Sequence, residues 1–212
     1  MRSRRFADRT DAGEQLATAL DEQGIRPDIV LAIPRGALPI GREVADAFDV
    51  PLDVIVASKI GAPGNPELAI GAVASDGSVW RNQRAFAGTG ASEAYFERER
   101  SREVEIARDK TERYRGGTEA GLDVAGKTVV VVDDGVATGS TARACLKMLQ
   151  DTGAAHVVLA IPVGPPETVR ELERLADEVV CLATPSRFMA VGQYYDRFEQ
   201  VSDEKAMTYL SN

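Results

Sequence analysis

The sequence predicts an α/β fold, a parallel sheet flanked by helices. Two observations carry this expectation. Strand-like and helix-like segments alternate along the 212 residues, as in repeated βαβ units. Residues 127–132 include four consecutive valines, Val129 to Val132, the pattern of a strand buried on both faces of a parallel sheet. A Rossmann-like sheet of this kind needs a sizeable core, and 44% of the residues are hydrophobic. The length fits one domain over residues 1–212.

The elements are expected in this order. Residues 11–23 read as a helix, capped by Thr10 or Asp11, with Leu16 and Leu20 on one face. Residues 28–33 form a short apolar strand, broken at Pro34-Arg35-Gly36, and residues 38–48 form the next helix. Residues 52–57 are again a strand. Residues 60–67 carry two glycines and two prolines and read as a loop. Residues 68–74 and 78–81 read as a hairpin turned at Ser75-Asp76-Gly77, so 59–81 is a flexible loop followed by a hairpin. Residues 91–115 are rich in Glu and Arg and predict a long exposed helix laced by charge pairs, ended by Gly116-Gly117. Strand 127–132, helix 141–152, strand 156–163, helix 166–176 and strand 178–182 follow. The stretch 184–200 is aromatic-rich and irregular, and residues 202–210 close the chain as a short helix.

Composition excludes several functions. The formal net charge is −8, so a general nucleic-acid-binding surface is not expected. No apolar run is long enough for a bilayer span. The start, Met1 to Arg9, is basic but has no apolar stretch of the secretory type. A soluble, cytoplasmic protein without nucleic-acid or membrane partners is expected. Cys145 and Cys181 read as reduced, buried thiols, and His156, the single histidine, reads as structural. One histidine and two cysteines do not assemble a zinc-type cluster.

The chemistry concentrates in Val129-Val130-Val131-Val132-Asp133-Asp134-Gly135-Val136-Ala137-Thr138-Gly139-Ser140-Thr141. The valines carry the chain to the carboxyl edge of the sheet, where open α/β sheets bind ligands. Asp133 and Asp134 stand at the strand end as hydroxyl acceptors. The small residues that follow let backbone N–H groups converge at a helix start, an anion site, to which Thr138, Ser140 and Thr141 add hydroxyls. Phosphate donors beside two hydroxyl acceptors suit a ribose 5-phosphate. A tight glycine turn with an Asp cap is the bland alternative. Neither G-x-x-x-x-G-K-[ST] nor a G-x-G-x-x-G after a strand is present.

These thirteen residues resemble the signature of type I phosphoribosyltransferases: four aliphatics, two acids, two variable positions and Ala-Thr-Gly-x-Thr. The resemblance implies that Asp133 and Asp134 hold the ribose hydroxyls and that Ala137, Thr138, Gly139, Ser140 and Thr141 wrap the 5-phosphate. It also implies a Mg2+ ion bridging ribose hydroxyls and pyrophosphate, reached by Asp133 and Asp134 through hydroxyls or water. Ala32 to Ala37 resembles the family's pyrophosphate loop, with Arg35 supplying charge and Gly36 close backbone approach; a surface arginine on an ordinary turn is the alternative. Ser58-Lys59 and the following loop resemble the family's catalytic loop, in which Lys59 would touch pyrophosphate, unless it is a solvated lysine. Phe6 to Arg9, Ile33 to Gly36, Pro66 to Val73 and Tyr194 to Phe198 resemble a subfamily whose base substrate is unassigned.

The resemblance implies transfer of a 5-phosphoribosyl group from phosphoribosyl pyrophosphate to a nitrogenous base or similar acceptor, with release of pyrophosphate. Asp133, Asp134, Lys59 and Arg35 would be the catalytic set. Ala137 stands where hypoxanthine and guanine enzymes carry an acid, which weighs against a 6-oxopurine acceptor. Phe188, Tyr194, Tyr195 and Phe198 either form a hood over the base, within a tail of residues 184–212, or pack the core. Glu67 is a loop acid or simply exposed. A phosphoribosyl-pyrophosphate- or nucleotide-binding regulator without catalysis, and a phosphorolytic or hydrolytic enzyme, are the other readings. The acceptor is unnamed by any motif, and a homodimer is an assembly to be tested.

Overall fold

The computed structural model describes residues 5–116, 123–150 and 152–211. Residues 1–4 of the basic start, Gly117 and Asp151 of the expected helix 141–152 lie outside the described residues. In chain order the elements are α1 (Arg9–Glu22), β1 (Ile29–Ala32), α2 (Leu38–Phe48), β2 (Leu52–Val54), β3 (Ala57–Ala62), β4 (Asn65–Ala74), β5 (Val79–Arg81) and α3 (Gln83–Gly88). Then come α4 (Glu93–Tyr114), β6 (Thr128–Val132), α5 (Ser140–Gln150), β7 (His156–Val163), α6 (Pro166–Leu172), β8 (Glu178–Ala183), a 3-10 turn (Val191–Tyr194) and α7 (Asp203–Thr208).

The main sheet is parallel, in the order β2-β1-β6-β7-β8. Alternation along β6 divides its valines between two cores. Val130 and Val132 join Leu16 and Leu20 of α1 and Leu38 and Val44 of α2. Val129 and Val131 join Leu146 and Leu149 of α5 and Val169 and Leu172 of α6. Each fully buried leucine contributes about 1.5–3 kcal/mol, so the helices are held mainly by these faces. The α/β architecture expected from the sequence is the one observed. No helix among the described residues is long and apolar enough to cross a membrane.

Strand order sets the position of the site. From β1 the chain moves to β2 on one side; from β6 it moves to β7 on the other. A crevice therefore opens at the carboxyl ends of β1 and β6, the switch point of the sheet. Ala32 pairs with Val132, so the segments after both residues leave the sheet side by side.

A second, antiparallel sheet, β3-β4-β5, stands between α4 and α5. Phe96 of α4 closes its small core with Ile60, Ala62, Ile70 and Val73. Here the structure corrects the sequence reading. The expected strand 52–57 is two strands, β2 in one sheet and the start of β3 in the other. The expected loop 60–67 is largely a hairpin turned at Pro63-Gly64, with Gly64 at φ 72°. Its pairing jumps from Gly61↔Ala69 to Ala62↔Asn65, which leaves residues 66–68 without cross-strand partners. A bulge tolerates Pro66 inside a strand, so the loop-like composition belongs to an irregular hairpin.

Smaller differences have local causes. Asp8, not Thr10 or Asp11, caps α1, accepting from the Asp11 N–H at 3.1 Å. Ser92 caps α4 and Asn82 caps α3, a helix with no apolar stripe to announce it. α4 buries only Phe96, Ala107 and Tyr114. Its surface pairs, such as Glu97–Arg100 at 3.1 Å, are worth about 0.3–0.5 kcal/mol each, so the three buried residues fix its place.

Candidate active site

The pyrophosphate-type loop and the two acids meet at the switch point. Gly36 is the contact: a Cβ there would lie 2.1 Å from Asp134 Oδ2. No side chain fits, so the sequence must be glycine for the loop to approach the carboxylate. The Pro34–Arg35 peptide just before it is cis.

Asp133 and Asp134 are both partly buried. Asp133 Oδ1 accepts the Asp134 N–H at 2.8 Å. Burial, and then the Asp134 carboxylate, push the Asp133 carboxyl well above the usual carboxylate range. Burial raises Asp134 too, and the Arg9 guanidinium works against that shift. Arg9 Nε and Nη2 both donate to Asp134 Oδ2, at 3.0 and 2.8 Å. Tyr195 donates its hydroxyl to the Asp134 carbonyl at 2.6 Å. Burial, with Asp134 beside it, raises that hydroxyl's pKa, so it stays a donor.

Ala137 and Thr138 are exposed, Gly139 and Ser140 are buried, and Thr141 is half-buried at the start of α5. Gly139, at φ 68°, adopts the left-handed conformation that the turn into the helix requires. Thr138 Oγ1 and Ser140 Oγ lie 3.0 Å apart, so the hydroxyls converge. The loop is pinned from outside. Thr168 of α6 donates to the Ala137 carbonyl at 2.9 Å. Buried Arg143 bonds the Thr138 carbonyl and the Glu171 carboxylate, and its guanidinium sits 4.8 Å from the Trp80 ring centre. The second sheet thus braces the loop. The arrangement presents hydroxyls and a helix start at one end and two carboxylates at the other.

The two sequence-predicted cations point to carboxylates of this chain. Arg35 Nη1 lies 3.5 Å from Asp203 Oδ1 of α7, which also takes Tyr114 Oη at 2.9 Å. Lys59 Nζ lies 3.2 Å from Glu67 Oε2, within its own hairpin. Both are surface pairs, so exchange for another anion costs little. Among the described residues Lys59 Nζ bonds only Glu67.

The aromatic tail is divided. Tyr194 and Tyr195 are each 3% exposed, as the core-packing alternative for these two rings expects. Tyr195 packs on Phe6 and Phe198, at 5.4 and 4.9 Å between ring centres. Tyr194 donates to the Arg187 carbonyl and stacks with Phe188 at 5.5 Å. Phe188 remains half-buried and Phe198 exposed. The physical reason is pairing of the chain ends: the Phe6 N–H bonds the Tyr194 carbonyl, and the N–H groups of Asp196 and Arg197 bond the carbonyls of Phe6 and Ala7. This bridge draws both tyrosines inward.

Arg9, Arg143 and Thr168 are not among the sequence-predicted site residues. Arg9 closes the motif Phe6 to Arg9, but nothing local to it reveals a partner 125 positions away. Among the described residues no group of three or more His, Cys, Asp or Glu side chains is arranged to hold a metal ion.

Known proteins resemble this chain as follows. Proteins from two strains of Mycobacterium tuberculosis, provisionally named phosphoribosyl transferases, are each 44% identical over 206 residues, 97% of this chain. The chain spans 46% of the length of these relatives. A crystal structure from Thermus thermophilus is 42% identical, covers 97% of both chains and superposes with a TM-score of 0.81. A hypothetical protein from Neisseria gonorrhoeae, solved with bound ppGpp, shares the fold at 14% identity, covering 99% of this chain and 97% of its own, with a TM-score of 0.50. The family described as the phosphoribosyl transferase domain matches residues 7–197, and by that match and these identities the chain belongs to the phosphoribosyl transferase family.

Proposed function

We propose that the protein transfers the 5-phosphoribosyl group of phosphoribosyl pyrophosphate to a nitrogenous base or similar acceptor and releases pyrophosphate. The carrying observation is the meeting of Gly36 and Asp134 between a hydroxyl-lined anion loop and a loop bearing Arg35. The 5-phosphate sits in the loop 137–141, against Thr138, Ser140 and Thr141. The vicinal ribose hydroxyls donate to Asp133 and Asp134. Ionised carboxylates only accept, so hydroxyl donors suit this pair. Bound hydroxyls also relieve the repulsion between the two acids.

Displacement at the anomeric carbon builds positive charge on the sugar and negative charge on the leaving diphosphate. Arg35 and Lys59 leave Asp203 and Glu67 and bind that diphosphate; fixed charge of this kind is often the largest catalytic contribution. The Gly36 backbone approaches the same group. The acidic pair suits a Mg2+ ion that takes most of its ligands from substrate oxygens and water, since Mg2+ commonly uses one or two carboxylates with substrate phosphates. When bound, it supplies charge against the leaving group. Closure of the hairpin tip over the site would exclude water. The exposed Ala137 supplies no base for a 6-oxopurine, which favours other acceptors.

The test is incubation of the protein with labelled phosphoribosyl pyrophosphate, magnesium and a panel of bases and other nucleophiles. Pyrophosphate release with at least one acceptor is expected, and its loss when Asp133→Asn and Asp134→Asn are combined. Turnover unchanged in that double variant overturns the site. Burial of Tyr194 and Tyr195 favours a second reading, a phosphoribosyl-pyrophosphate- or nucleotide-binding regulator. Tight binding without pyrophosphate release across the panel selects it.

A further inference from the structure

The acids of this site are not equivalent. Asp134 Oδ2 accepts two hydrogen bonds from Arg9, at 3.0 and 2.8 Å. Among the described residues Asp133 has no arginine partner of this kind, and its Oδ1 takes the Asp134 N–H. The Arg9 and Asp134 side chains are 11% and 17% exposed, so their pair is largely withdrawn from water. An ion pair in that setting is set by geometry more than a surface pair is.

Arg9 is itself held on three sides. Its guanidinium lies 3.9 Å from the Phe198 ring centre, and Nη1 donates to the Glu199 carbonyl at 2.7 Å. Its backbone opens α1, capped by Asp8, whose carboxylate takes Arg197 at 2.5 Å. Beyond Asp134, Gly36 leaves the space that the Oδ2 atom occupies. The bridged chain ends therefore converge on one carboxylate oxygen.

We infer that Arg9 is a positioning residue for sugar recognition: it takes up Oδ2 of Asp134 and so fixes Oδ1 for one of the two ribose hydroxyls. This rests on the proposed function, and it adds a division of labour. Asp134 receives its hydroxyl from a carboxylate aimed by Arg9; Asp133 receives the other without that support. Residues 6–9 and 194–199 thereby set hydroxyl recognition at the centre of the sheet.

Calorimetric binding of ribose 5-phosphate and its 2-deoxy and 3-deoxy analogues tests this, using the wild-type chain, Arg9→Gln and Arg9→Lys. The wild type is expected to bind each analogue about tenfold more weakly than the parent sugar, the size of a hydrogen bond to a charged group. Arg9→Gln should reduce the discrimination against one analogue to within about twofold and leave the other intact. Arg9→Lys should restore part of the lost discrimination. A merely structural Arg9 would weaken all three sugars by one factor, and that result overturns the inference, as does retention of both discriminations. A wild-type protein indifferent to both hydroxyls overturns the functional reading, and the role of Arg9 with it. If Arg9→Gln does not fold, Phe198→Leu removes the ring beneath the guanidinium. It should narrow the same single discrimination about twofold, and an unchanged pattern there overturns the inference.

Discussion

Asp133 is where site chemistry and stability oppose each other. Its carboxyl is raised by burial and by Asp134, so the folded protein holds that proton more tightly than the unfolded chain, whose Asp titrates near ~3.9. As pH rises from that value through the raised one, the unfolded chain releases its proton first. Stability falls across this window, and the cost is fully present above it. Asp133→Asn removes the charge and keeps an oxygen for the Asp134 N–H. It should raise the melting temperature at pH 8 by roughly 2–4 °C for each kcal/mol recovered, and the gain should vanish below about pH 4. Calorimetry across pH checks this; a variant less stable than wild type at pH 8 contradicts it. The acids, the glycine and the hydroxyls were readable from the sequence, because each is a residue type fixed by local backbone or by chemistry. Arg9 and Arg143 were not, since an arginine's role lies in a distant partner: Asp134 for one, the Thr138 carbonyl and Glu171 for the other.

At the scale of elements, the proposed function makes β1 and β6 with their following loops the fixed part of the site, and the β3–β4 hairpin the adjustable part. The valines of β6 are fully buried on both faces, and their loop is braced by α6 and Trp80. Residues 63–68 at the hairpin tip are exposed, although the Tyr95 hydroxyl of α4 donates to the Gly61 carbonyl beside them at 3.2 Å. Residues 66–68 have no strand partners, Leu68 is 42% exposed, and among the described residues the Lys59 ammonium bonds only Glu67. Exposed residues without cross-strand partners mean a low opening free energy. Amides of Gly64, Glu67 and Leu68 should exchange within seconds in hydrogen–deuterium experiments, and slow at least tenfold with phosphoribosyl pyrophosphate and magnesium. Equal exchange with and without these ligands would show that the hairpin takes no part in binding. The sequence misread this segment because prolines and glycines mark bulges and loops alike. It found the main-sheet strands because their apolar runs have one physical meaning in an alternating βαβ chain.

For the whole molecule, the parallel sheet brings two loops from distant sequence to one crevice, and the bridge between Phe6 and Tyr195 ties both chain ends to the same place. That bridge joins two sequence motifs, Phe6 to Arg9 and Tyr194 to Phe198, that stand far apart along the chain. It also explains why the tail aromatics were ambiguous: burial of Tyr195 depends on Phe6, a partner 189 positions away in the sequence. On the proposed function, this crevice binds phosphoribosyl pyrophosphate through Asp133, Asp134 and the loop 137–141. The most direct measurement is titration calorimetry of the full chain with phosphoribosyl pyrophosphate and magnesium, beside the variant carrying Asp133→Asn and Asp134→Asn together. Saturable binding at one site per chain, weakened at least about 100-fold in the folded double variant, is predicted. Equal affinity in the two proteins, or no binding by the wild type, would contradict it.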